Sequence, residues 1–478
     1  MTLARQKLGA VERYATTYDR RACEIGIVHL GYGAFHRAHQ AVYVDDYMQA
    51  TGDLRWGIAA VNLRSSETAL FEAAQLATDG YLLKTTAPDG AFDMRLVRSH
   101  CRFADWSVDA NTTEELVALP SVHTVTITVT ESGYYLNNDW SLNTEDHAIA
   151  SEIAGTAKTS VYAFLASALK RRAETISQPL NVLCCDNIRS NGHMLETNFL
   201  AYLSCIGASD LRAWVQEYVS FPCSMVDRIT PRTTDALKDE IAELFPNEIL
   251  NPIHGESFTQ WVLEDKFKAP IAALGASGIE IVADVDPYEE AKIRILNGGH
   301  TGLCYLGALA GHTTYDQAFN DPQLRAIFDA FEIDEVLPGL DAVPVPFDKR
   351  DYLNQIAERF SNKSIADQLE RICMDGYSKM PIYIRPTLEA CFERGIVPET
   401  GIACVASWYV YARRFANGQM PIHYHEPYWD QLLPLLVAGQ EEAFARHTSL
   451  WADLPIAYPQ FVSTLIEATK EMEKRWPA

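Results

Sequence analysis

Three residues with the types and spacing needed for proton transfer stand close together in one amphipathic stretch, at Lys292, Asn297 and His300. On an α-helix, Asn297 lies about 140° and His300 about 80° around the axis from Lys292, so one face could present all three. A buried lysine whose pKa falls to about 7 to 8 can accept a hydroxyl proton, and an asparagine amide can stabilise the resulting oxyanion. This set therefore predicts proton transfer that needs no metal ion.

Gly298 and Gly299 leave the geometry of this set open. If the helix continues to His300, one face carries the three side chains. If it breaks at the glycines, Asn297 and His300 lie at a kink, which is equally suited to presenting them to a pocket. A third interpretation gives the stretch no chemistry and makes it an amphipathic interdomain helix with a solvated lysine.

A glycine motif, Gly31-Tyr32-Gly33-Ala34-Phe35-His36, follows the first predicted strand and opens the first predicted helix. In that position glycines let a pyrophosphate approach the backbone, and the helix start offers amide N–H groups and partial positive charge, with Arg37 nearby. His36 replaces the usual third glycine, and no acidic residue ends the second strand. Asp45 and Asp46 should lie on the helix, so Glu67 is the better partner for a ribose hydroxyl. The alternative is that these glycines only shape a strand-to-helix turn.

Histidine pairs at 36 and 39 and at 423 and 425 have spacings seen in metal sites. No third ligand follows either pair at a matching local spacing, so we predict no metal site. The side chains at the start of the helix are equally suited to fixing a turn or touching an anionic cofactor.

Polar residues interrupt apolar surroundings at three further places: Asp186 with Asn187, Asp227 with its neighbours, and the stretch from 367 to 379 that includes Arg371 and Lys379. Open α/β sheets place ligand contacts at strand ends such as that of Asn187. An Asx-turn that caps the next helix explains the first place equally well. For the other two, a solvated helix face or loop is the simpler local interpretation.

Two sequence patterns predict the strands and helices that must position these side chains. From 25 to 222, short β-branched runs (26–30, 56–61, 122–129 and 181–185) alternate with amphipathic stretches (34–48 and 159–172), which predicts an open, mainly parallel α/β sheet. Residues 81–105 predict a hairpin added to that sheet. After about 284 the pattern turns helical (289–296, 364–373, 401–415 and 461–476). We therefore predict domains at 1–284 and 285–478.

Length and charge exclude several classes of function. The 478 residues suggest two or three packed units, at roughly 100 to 200 residues each. With 40 basic and 63 acidic side chains the formal charge is −23, and this field repels nucleic acid and anionic lipid. There is no signal-peptide pattern and no run of about 18 apolar residues. The ten cysteines contain no CxxC pair. A cytoplasmic protein with buried thiols is expected.

The motifs taken in order resemble the polyol-specific long-chain dehydrogenases, a family that includes mannitol 2-dehydrogenases and fructuronate reductases. The resemblance covers residues 27 to about 408. It is carried by residues 31–40, 128–134, 185–187, 221–231 and 260–267, and by Lys292, Asn297 and His300 in a K-x4-N-x2-H signature. The family implies a Rossmann-type α/β N-terminal domain, a mostly α-helical C-terminal domain and NAD as cofactor.

The resemblance also implies a role for each matching residue. Lys292 is the general base for alcohol oxidation, Asn187 and Asn297 hold the substrate oxygen, and His300 orients substrate. The remaining family positions are Asp227, Arg371 and Lys379 in the polyol site, Glu289 on a proton path, and Gly31, Gly33, Ala34, Phe35, Arg37 and Glu67 toward the cofactor. Ser66 replaces a second acidic residue of some relatives, which weakens the preference for NAD over NADP without reversing it.

The leading functional prediction is an NAD-dependent interconversion of a sugar alcohol and its ketose, with D-mannitol and D-fructose as the favoured pair. The alternatives are a fructuronate reductase acting on fructuronate and mannonate, a dehydrogenase of arabinitol or sorbitol, and an inactive dinucleotide-binding sensor. A hexuronate would require an extra cation, for which Arg189, Arg294 and Arg385 are candidates. The sequence does not define the oligomeric state; relatives of this length are often monomers.

Overall fold

The fold is that of a computed structural model, which describes residues 4–8, 11–137, 139–272 and 274–476. The chain divides into two compact units, one formed by residues 1–87 and 91–285 and the other by residues 88–90 and 286–478. The first unit contains the three β-sheets, and the described residues of 286–476 form helices and no strand. This architecture confirms the predicted fold class, an α/β Rossmann-type domain followed by a mostly α-helical one.

A six-stranded, wholly parallel sheet forms the centre of the first unit. Counted along the chain, its strands lie in the order 3-2-1-4-5-6, which is the doubly wound order of dinucleotide-binding folds. Its members are β3 (Ile25–Leu30), β4 (Gly57–Asn62), β7 (His100–Asp105), β8 (Thr124–Ile127), β9 (Leu180–Cys184) and β10 (Val219–Ser220). The order reverses between β3 and β8, so the segments that follow these two strands flank the crevice where such sheets bind ligands.

The sequence predicted four of these strands because each is a short, almost continuous apolar run. The observed bounds differ from the predicted ones by at most two residues at each end. Both faces of the sheet are covered, so no hydrophobic alternation is expected along the strands. Val28, Val125 and Val182, on three neighbouring strands, are completely buried in one core.

The hairpin predicted within residues 81–105 forms, but the prediction that it joins the parallel sheet is wrong. Its first two strands form an antiparallel pair in a separate five-stranded sheet of β1 (Ala4–Leu8), β2 (Val11–Ala15), β5 (Tyr81–Thr86), β6 (Phe92–Val97) and β12 (Ile253–Glu256). Leu82, Met94 and Leu96 face a core of their own that includes Leu237 and Ile241. The next strand of the chain is β7 of the parallel sheet. The local pattern of alternation could not distinguish these two destinations.

A third sheet of β11 (Ser224–Asp227), β13 (Gln260–Glu264) and β14 (Glu280–Val282) completes the strands of the first unit. The α-helices of this unit are α1 (Ala34–Ala38), α2 (Gln40–Thr51), α3 (Thr68–Gln75), α4 (Ala110–Val117), α5 (His147–Ile153), α6 (Val161–Thr175), α7 (Asn191–Cys205), α8 (Ser209–Tyr218) and α9 (Asp235–Leu244). The single helix predicted at 34–48 is interrupted at His39, whose φ of −121° and ψ of −91° lie outside the helical region.

The second unit is built around the long helix α19 (Glu399–Ala416), which packs on α11 (Gly298–Leu309) and α24 (Gln460–Arg475). Its helices are α10 (Asp286–Ala291), α11 (Gly298–Leu309), α12 (Tyr315–Asn320), α13 (Pro322–Ala330), α14 (Leu337–Gly339), α15 (Lys349–Phe360), α16 (Leu369–Ile372), α17 (Gly376–Lys379), α18 (Arg385–Glu393), α19 (Glu399–Ala416), α20 (Trp429–Leu432), α21 (Glu441–Ala445), α22 (Thr448–Trp451), α23 (Leu454–Ala457) and α24 (Gln460–Arg475).

The predicted helix at 364–373 is mostly wrong, because only α16 forms there. Backbone hydrogen bonds to Thr313 and Tyr315 hold Asp367 and Leu369 in a non-helical segment.

The helix that carries Lys292 continues without a break, which decides between the alternatives left open by Gly298 and Gly299. A π-helical segment, Lys292–Asn297, joins α10 to α11. A Cβ atom on Gly299 would lie 2.5 Å from Glu332 Oε1 and 2.7 Å from the Phe328 ring. The glycine is therefore required by close packing inside a helix and does not break it.

The described helices include none that is long and apolar enough to cross a membrane. None of the ten cysteines, all of which lie in the described ranges, forms a disulfide bond. Seven of them are buried.

Candidate active site

The turn after β3 has the backbone geometry that a dinucleotide phosphate group requires. Gly31 has φ = +97°, and a Cβ atom there would overlap the carbonyl oxygen of Thr128, so this position requires glycine. Gly33 is exposed, and a Cβ atom there would meet only open space, with the Gly31 carbonyl 4.0 Å away. Neither packing nor backbone angle demands a glycine at 33, so the space beside it is open to a ligand. Ala34 and Phe35 then open α1, where the first amide N–H groups have no partner within the helix.

Three buried histidines, His29, His36 and His100, pack together beside this turn and hold it in place. The His29 ring stacks on the His36 ring at a centroid distance of 3.2 Å, and His36 Nε2 lies 2.9 Å from His100 Nε2. His29 Nε2 lies 2.8 Å from the Gly31 carbonyl, which can only accept, so this nitrogen carries the proton and donates it. Burial lowers the pKa of all three histidines, that of His29 to about 3. Neutral imidazoles therefore fix the turn, with His36 in contact with both His29 and His100.

These histidines predict loss of stability in acid. An unfolded histidine titrates near pH 6.5, so below that pH the unfolded chain binds a proton that folded His29 refuses. The stability that His29 contributes is complete above about pH 6.5 and is lost progressively as the pH falls toward 3, with about 2 kcal/mol lost at pH 5. We expect His29→Asn to reduce the difference in unfolding free energy between pH 7 and pH 5 by about this amount, measured by urea denaturation. The exposed His147 provides the control, and His147→Asn should leave that difference unchanged.

Arg37 is engaged by its own surroundings. Its guanidinium lies over the Tyr32 ring at 5.1 Å and the Tyr81 ring at 5.5 Å, and it donates to the Asn251 carbonyl at 3.3 Å. The Tyr81 hydroxyl in turn donates to the Arg37 carbonyl oxygen at 2.5 Å. Of the two roles that the sequence left open, these contacts favour fixing the turn.

Glu67 lies at the end of a 3-10 turn, Ser65–Glu67, that follows β4. Its carboxylate is exposed and lies 3.9 Å from Arg64, which is about half exposed. Asp45 and Asp46 are engaged elsewhere on α2. Asp45 is buried and accepts hydrogen bonds from Tyr18 and Arg95, and Asp46 accepts from Arg95. Arg64 went unnoticed in the sequence, although an arginine beside a ribose site is a group that can accept a 2′-phosphate.

Asn187 lies exposed at the carboxyl end of β9, and its neighbour Asp186 holds this strand end in place. The Asp186 carboxylate accepts from Val129 N at 2.9 Å, Thr130 N at 3.0 Å and the Tyr134 hydroxyl at 2.7 Å. Burial raises the pKa of Asp186 to about 6, although the Tyr134 hydrogen bond opposes the rise. Asp186 thus ties the segment after β8 to the segment after β9. The start of α7 has no side-chain cap, so the capping alternative for Asp186 is replaced by this positioning role, which depends on partners distant in the chain.

Asp227 ends β11 and is buried, with 4% of its surface exposed. The neighbouring Arg228 donates to the carbonyl oxygens of Glu256, at 2.9 Å, and Ala38. Burial lowers the pKa of Arg228 to about 10. Arg228 therefore joins three segments, and this fixes the strand end on which Asp227 lies.

In the second unit, Lys292 and Asn297 are the first and last residues of the π segment. Because π-helical hydrogen bonds run from i to i+5, residues five apart stand on successive turns on one side, as residues four apart do in an α-helix. The angle around the helix axis between Lys292 and Asn297 is therefore much smaller than the 140° expected for an α-helix. Lys292 is buried at 7% exposure, and no donor among the described residues reaches the buried Asn297 Oδ1. The amide thus keeps an acceptor available for a hydroxyl group.

His300 follows one α-helical turn beyond Asn297. Its ring packs edge-on against Tyr315 at 4.3 Å and stacks on Phe360 at 5.2 Å. Burial lowers the pKa of His300 to about 3, with Asp367 acting in the opposite direction and Arg371 and Lys379 acting in the same direction. A neutral, sandwiched imidazole is a rigid hydrogen-bonding group, which suits orienting a substrate.

The two predicted polyol-site cations lie within electrostatic reach of His300. Arg371 forms an ion pair with Asp367, in which Nε donates to Oδ1 at 2.9 Å. Lys379 Nζ donates to the Ile372 carbonyl at 2.9 Å. Glu289 is buried one turn before Lys292, at 9% exposure. The second unit thus brings together Lys292, Asn297, His300, Arg371, Lys379 and Glu289, and the first unit carries Asn187, Asp227 and the glycine turn.

Comparisons with known proteins give a consistent result across the chain. A family profile described as the mannitol dehydrogenase Rossmann domain matches residues 25–275, and one described as the mannitol dehydrogenase C-terminal domain matches residues 284–473. A D-arabinitol 4-dehydrogenase from Ralstonia nicotianae is 36% identical over 433 residues, which cover 90% of this chain and 92% of the relative.

Two solved structures are similar over nearly their full length. The mannitol 2-dehydrogenase of Pseudomonas fluorescens, in a ternary complex with NAD and D-mannitol, has a TM-score of 0.86 at 30% identity and covers 97% of this chain and 94% of its own. A D-sorbitol dehydrogenase in substrate-free form has a TM-score of 0.85 at 28% identity and covers 98% of this chain and 97% of its own.

Proposed function

Because this chain belongs to the mannitol dehydrogenase family of oxidoreductases, we propose that it oxidises a sugar alcohol to its ketose with NAD and catalyses the reverse reaction. The observation that carries this proposal is the π segment, which sets a buried lysine and an asparagine amide on one side of a helix. The amide Nδ2 is the donor that can hold the carbinol oxygen, and the unused Oδ1 can accept from a neighbouring hydroxyl group of the substrate. Proton transfer at a carbinol needs a base and a group that holds the oxygen. Lys292 and Asn297 supply both.

The turn from Gly31 to Phe35 fits the cofactor, because Gly33 leaves open space and the start of α1 offers amide N–H groups. We propose that Gly31, Gly33, Ala34 and Phe35 hold the pyrophosphate, that Arg37 supports the turn, and that Glu67 binds the ribose hydroxyls. When bound, NAD supplies the acceptor for the hydride of the carbinol carbon.

For the substrate, we propose that Lys292 Nζ takes the carbinol proton in oxidation and returns it in reduction. The amides of Asn187 and Asn297 donate to the oxygen as negative charge develops on it, and His300 orients it. Asp227, Arg371 and Lys379 hold the remaining hydroxyl groups. The buried carboxylate of Glu289, one turn from Lys292, passes the proton toward solvent.

In this assignment residues 1–284 form the dinucleotide-binding domain and residues 285–478 the mostly helical substrate-binding domain. The family profiles, which match 25–275 and 284–473, support the same division.

D-Mannitol and D-fructose remain the substrate pair that we propose. The mannitol complex of the similar Pseudomonas fluorescens enzyme supports it, while the D-arabinitol and D-sorbitol enzymes make those two polyols the next candidates. A hexuronate is less favoured, because two of the three arginines considered for its carboxylate are engaged elsewhere. Arg294 donates to the Gly339 carbonyl at 3.1 Å, and Arg385 forms an ion pair with Glu389 at 3.4 Å.

The test is NADH absorbance with the purified protein, given NAD or NADP and each of mannitol, arabinitol, sorbitol and mannonate. We expect NAD reduction with a polyol, the highest kcat/KM with mannitol, and little turnover of mannonate. A preference for mannonate would replace the proposed substrate class. No turnover with any of the four, while NADH still binds, would support the inactive sensor.

Glu67 predicts the choice between NAD and NADP. Its exposed carboxylate should repel a 2′-phosphate, and Arg64, 3.9 Å away, is the group that would accept one. We expect Glu67→Gln to shift the ratio of kcat/KM for NAD over NADP toward NADP by about 10- to 100-fold, since repulsion and hydrogen bonds of this type are worth about 1.5 to 3 kcal/mol. Glu72→Gln, an exposed carboxylate on α3, is the matched control. An unchanged ratio in Glu67→Gln would remove Glu67 from the cofactor site.

A further inference from the structure

We propose that the first unit contains a zinc-binding site formed by His193, Cys223 and Glu264. One ligand atom from each of these side chains lies within 4.8 Å of the others. No other group of three His, Cys, Asp or Glu side chains in the described ranges comes this close. None of the three belongs to the residues assigned above to catalysis, polyol binding or the cofactor.

The types of the three ligands favour Zn²⁺ over Mg²⁺ and Ca²⁺. Imidazole, thiolate and carboxylate are the three ligand types that Zn²⁺ uses in proteins, and a thiolate disfavours Mg²⁺ and Ca²⁺. A tetrahedral zinc ion with bonds of about 2.0 to 2.3 Å would need the ligand atoms about 3.3 to 3.7 Å apart, so atoms separated by up to 4.8 Å would have to approach by about 1 Å. Three protein ligands leave the fourth position for water.

The three proposed ligands differ in their exposure to solvent. Cys223 and Glu264 are buried, at 4% and 5% exposure, whereas His193 is exposed. A metal ion can therefore enter from the side of His193, and the water ligand can remain in contact with solvent.

The backbone around the three ligands is already fixed. Cys223 immediately precedes β11, Glu264 ends β13, and the two strands pair there: Glu264 N donates to the Cys223 carbonyl at 3.0 Å, and Cys223 N donates to Glu264 Oε2 at 3.1 Å. His193 lies in the first turn of α7. The adjacent Asn191 exchanges two hydrogen bonds with the Ser224 backbone, at 2.8 and 2.9 Å.

Close packing adds a further constraint at Gly192. A Cβ atom there would lie 2.7 Å from Cys223 N and 2.6 Å from the Pro222 carbonyl carbon, so the start of α7 is held directly against the segment that carries the thiol. The site is therefore pre-organised by three elements, and a bound ion would cross-link α7, β11 and β13.

Lys266 provides a way to test a metal site against a purely structural cluster. Its ammonium lies 2.5 Å from Glu264 Oε1, and its side chain is 55% exposed, so it can move into solvent when a cation takes its place. In the metal-free protein it neutralises a buried carboxylate. A lysine in this position competes with the metal ion.

The experiment is titration of the chelator-treated full-length protein with ZnCl2 by calorimetry, with CoCl2 as a spectroscopic probe and MgCl2 as a comparison. We expect one Zn²⁺ per chain, a thiolate-to-cobalt charge-transfer band with Co²⁺, no Mg²⁺ binding, and a rise in Tm of a few degrees with zinc. Cys223→Ser and His193→Ala should each weaken Zn²⁺ binding at least tenfold. Cys205→Ser, at an exposed cysteine of the same helix, should not change it.

Lys266→Ala should tighten Zn²⁺ binding a few-fold, which a purely structural role of the cluster would not produce. Zinc binding that persists unchanged in Cys223→Ser, or weaker binding in Lys266→Ala, would overturn the proposal. If Cys223→Ser does not fold, the cobalt spectrum of the unaltered protein decides the question, because Co²⁺ binding without a thiolate band excludes Cys223 as a ligand.

Discussion

Lys292→Ala is expected to abolish nearly all turnover while leaving NADH binding intact. General acid–base catalysis by a positioned side chain contributes about 10²- to 10⁴-fold, and we expect removal of the proposed base itself to be at the upper end of that range. A loss of about 10⁴-fold corresponds to about 5.4 kcal/mol of transition-state stabilisation. The measurements are kcat in both directions by NADH absorbance and the Kd of NADH by fluorescence titration.

Two controls separate lost chemistry from lost structure in this variant. Lys170→Ala removes an exposed lysine from α6 and should leave kcat unchanged. Small primary amines added to Lys292→Ala should restore part of the activity, because they can occupy the space left by the side chain and accept the proton. Activity within tenfold of the unaltered enzyme would exclude Lys292 as the base.

The second large effect is expected from Asn297→Ala. Removal of one hydrogen-bond donor to a developing oxyanion costs about 10² to 10³ in kcat, or about 2.7 to 4 kcal/mol. The KM for the polyol should change much less, because the alkoxide charge develops only in the transition state. Asn354→Ala, at an exposed asparagine of α15, is the matched control and should have unchanged kinetics.

Asn187 makes the test of Asn297 more specific. If both amides donate to one oxygen, the effects of Asn187→Ala and Asn297→Ala should be non-additive in the double variant, with a coupling free energy of about 0.5 to 3 kcal/mol. Strict additivity would mean that the two amides act on different atoms, and a kcat close to that of the unaltered enzyme in Asn297→Ala would exclude an oxyanion role.

The parallel sheet and its glycine turn could be predicted because their signals are local. Each of four strands is a short apolar run, and the Gly31 motif lies directly between a strand and a helix. The five-stranded sheet could not be predicted in the same way. Its strands β2 and β12 are separated by more than 200 residues, and nothing in the hairpin pattern indicates which partners it pairs with.

The spacing of Lys292, Asn297 and His300 indicated a shared face, but the sequence could not indicate how the helix achieves it. Just after the π segment, Glu332 and Phe328 pack closely against Gly299. These residues are more than 25 positions away in the chain. The same holds for Asp186 and for the contact between His36 and His100, whose roles are set by partners that only the fold brings together.

The π segment also has a consequence for how this helix tolerates changes in length. A π turn contains one more residue than an α turn, so its presence shifts the angular phase of every later residue on the helix. If residues 292–297 were wound as regular α-helix, Asn297 would lie about 140° around the axis from Lys292, and His300 would turn with it. Deletion of one residue between them would instead restore α-helix and leave the lysine and the amide four positions apart, about 40° around the axis and still on one side. The π turn therefore absorbs one additional residue while it keeps the base and the amide aligned, so the alignment depends on the winding of the turn matching the number of residues in it.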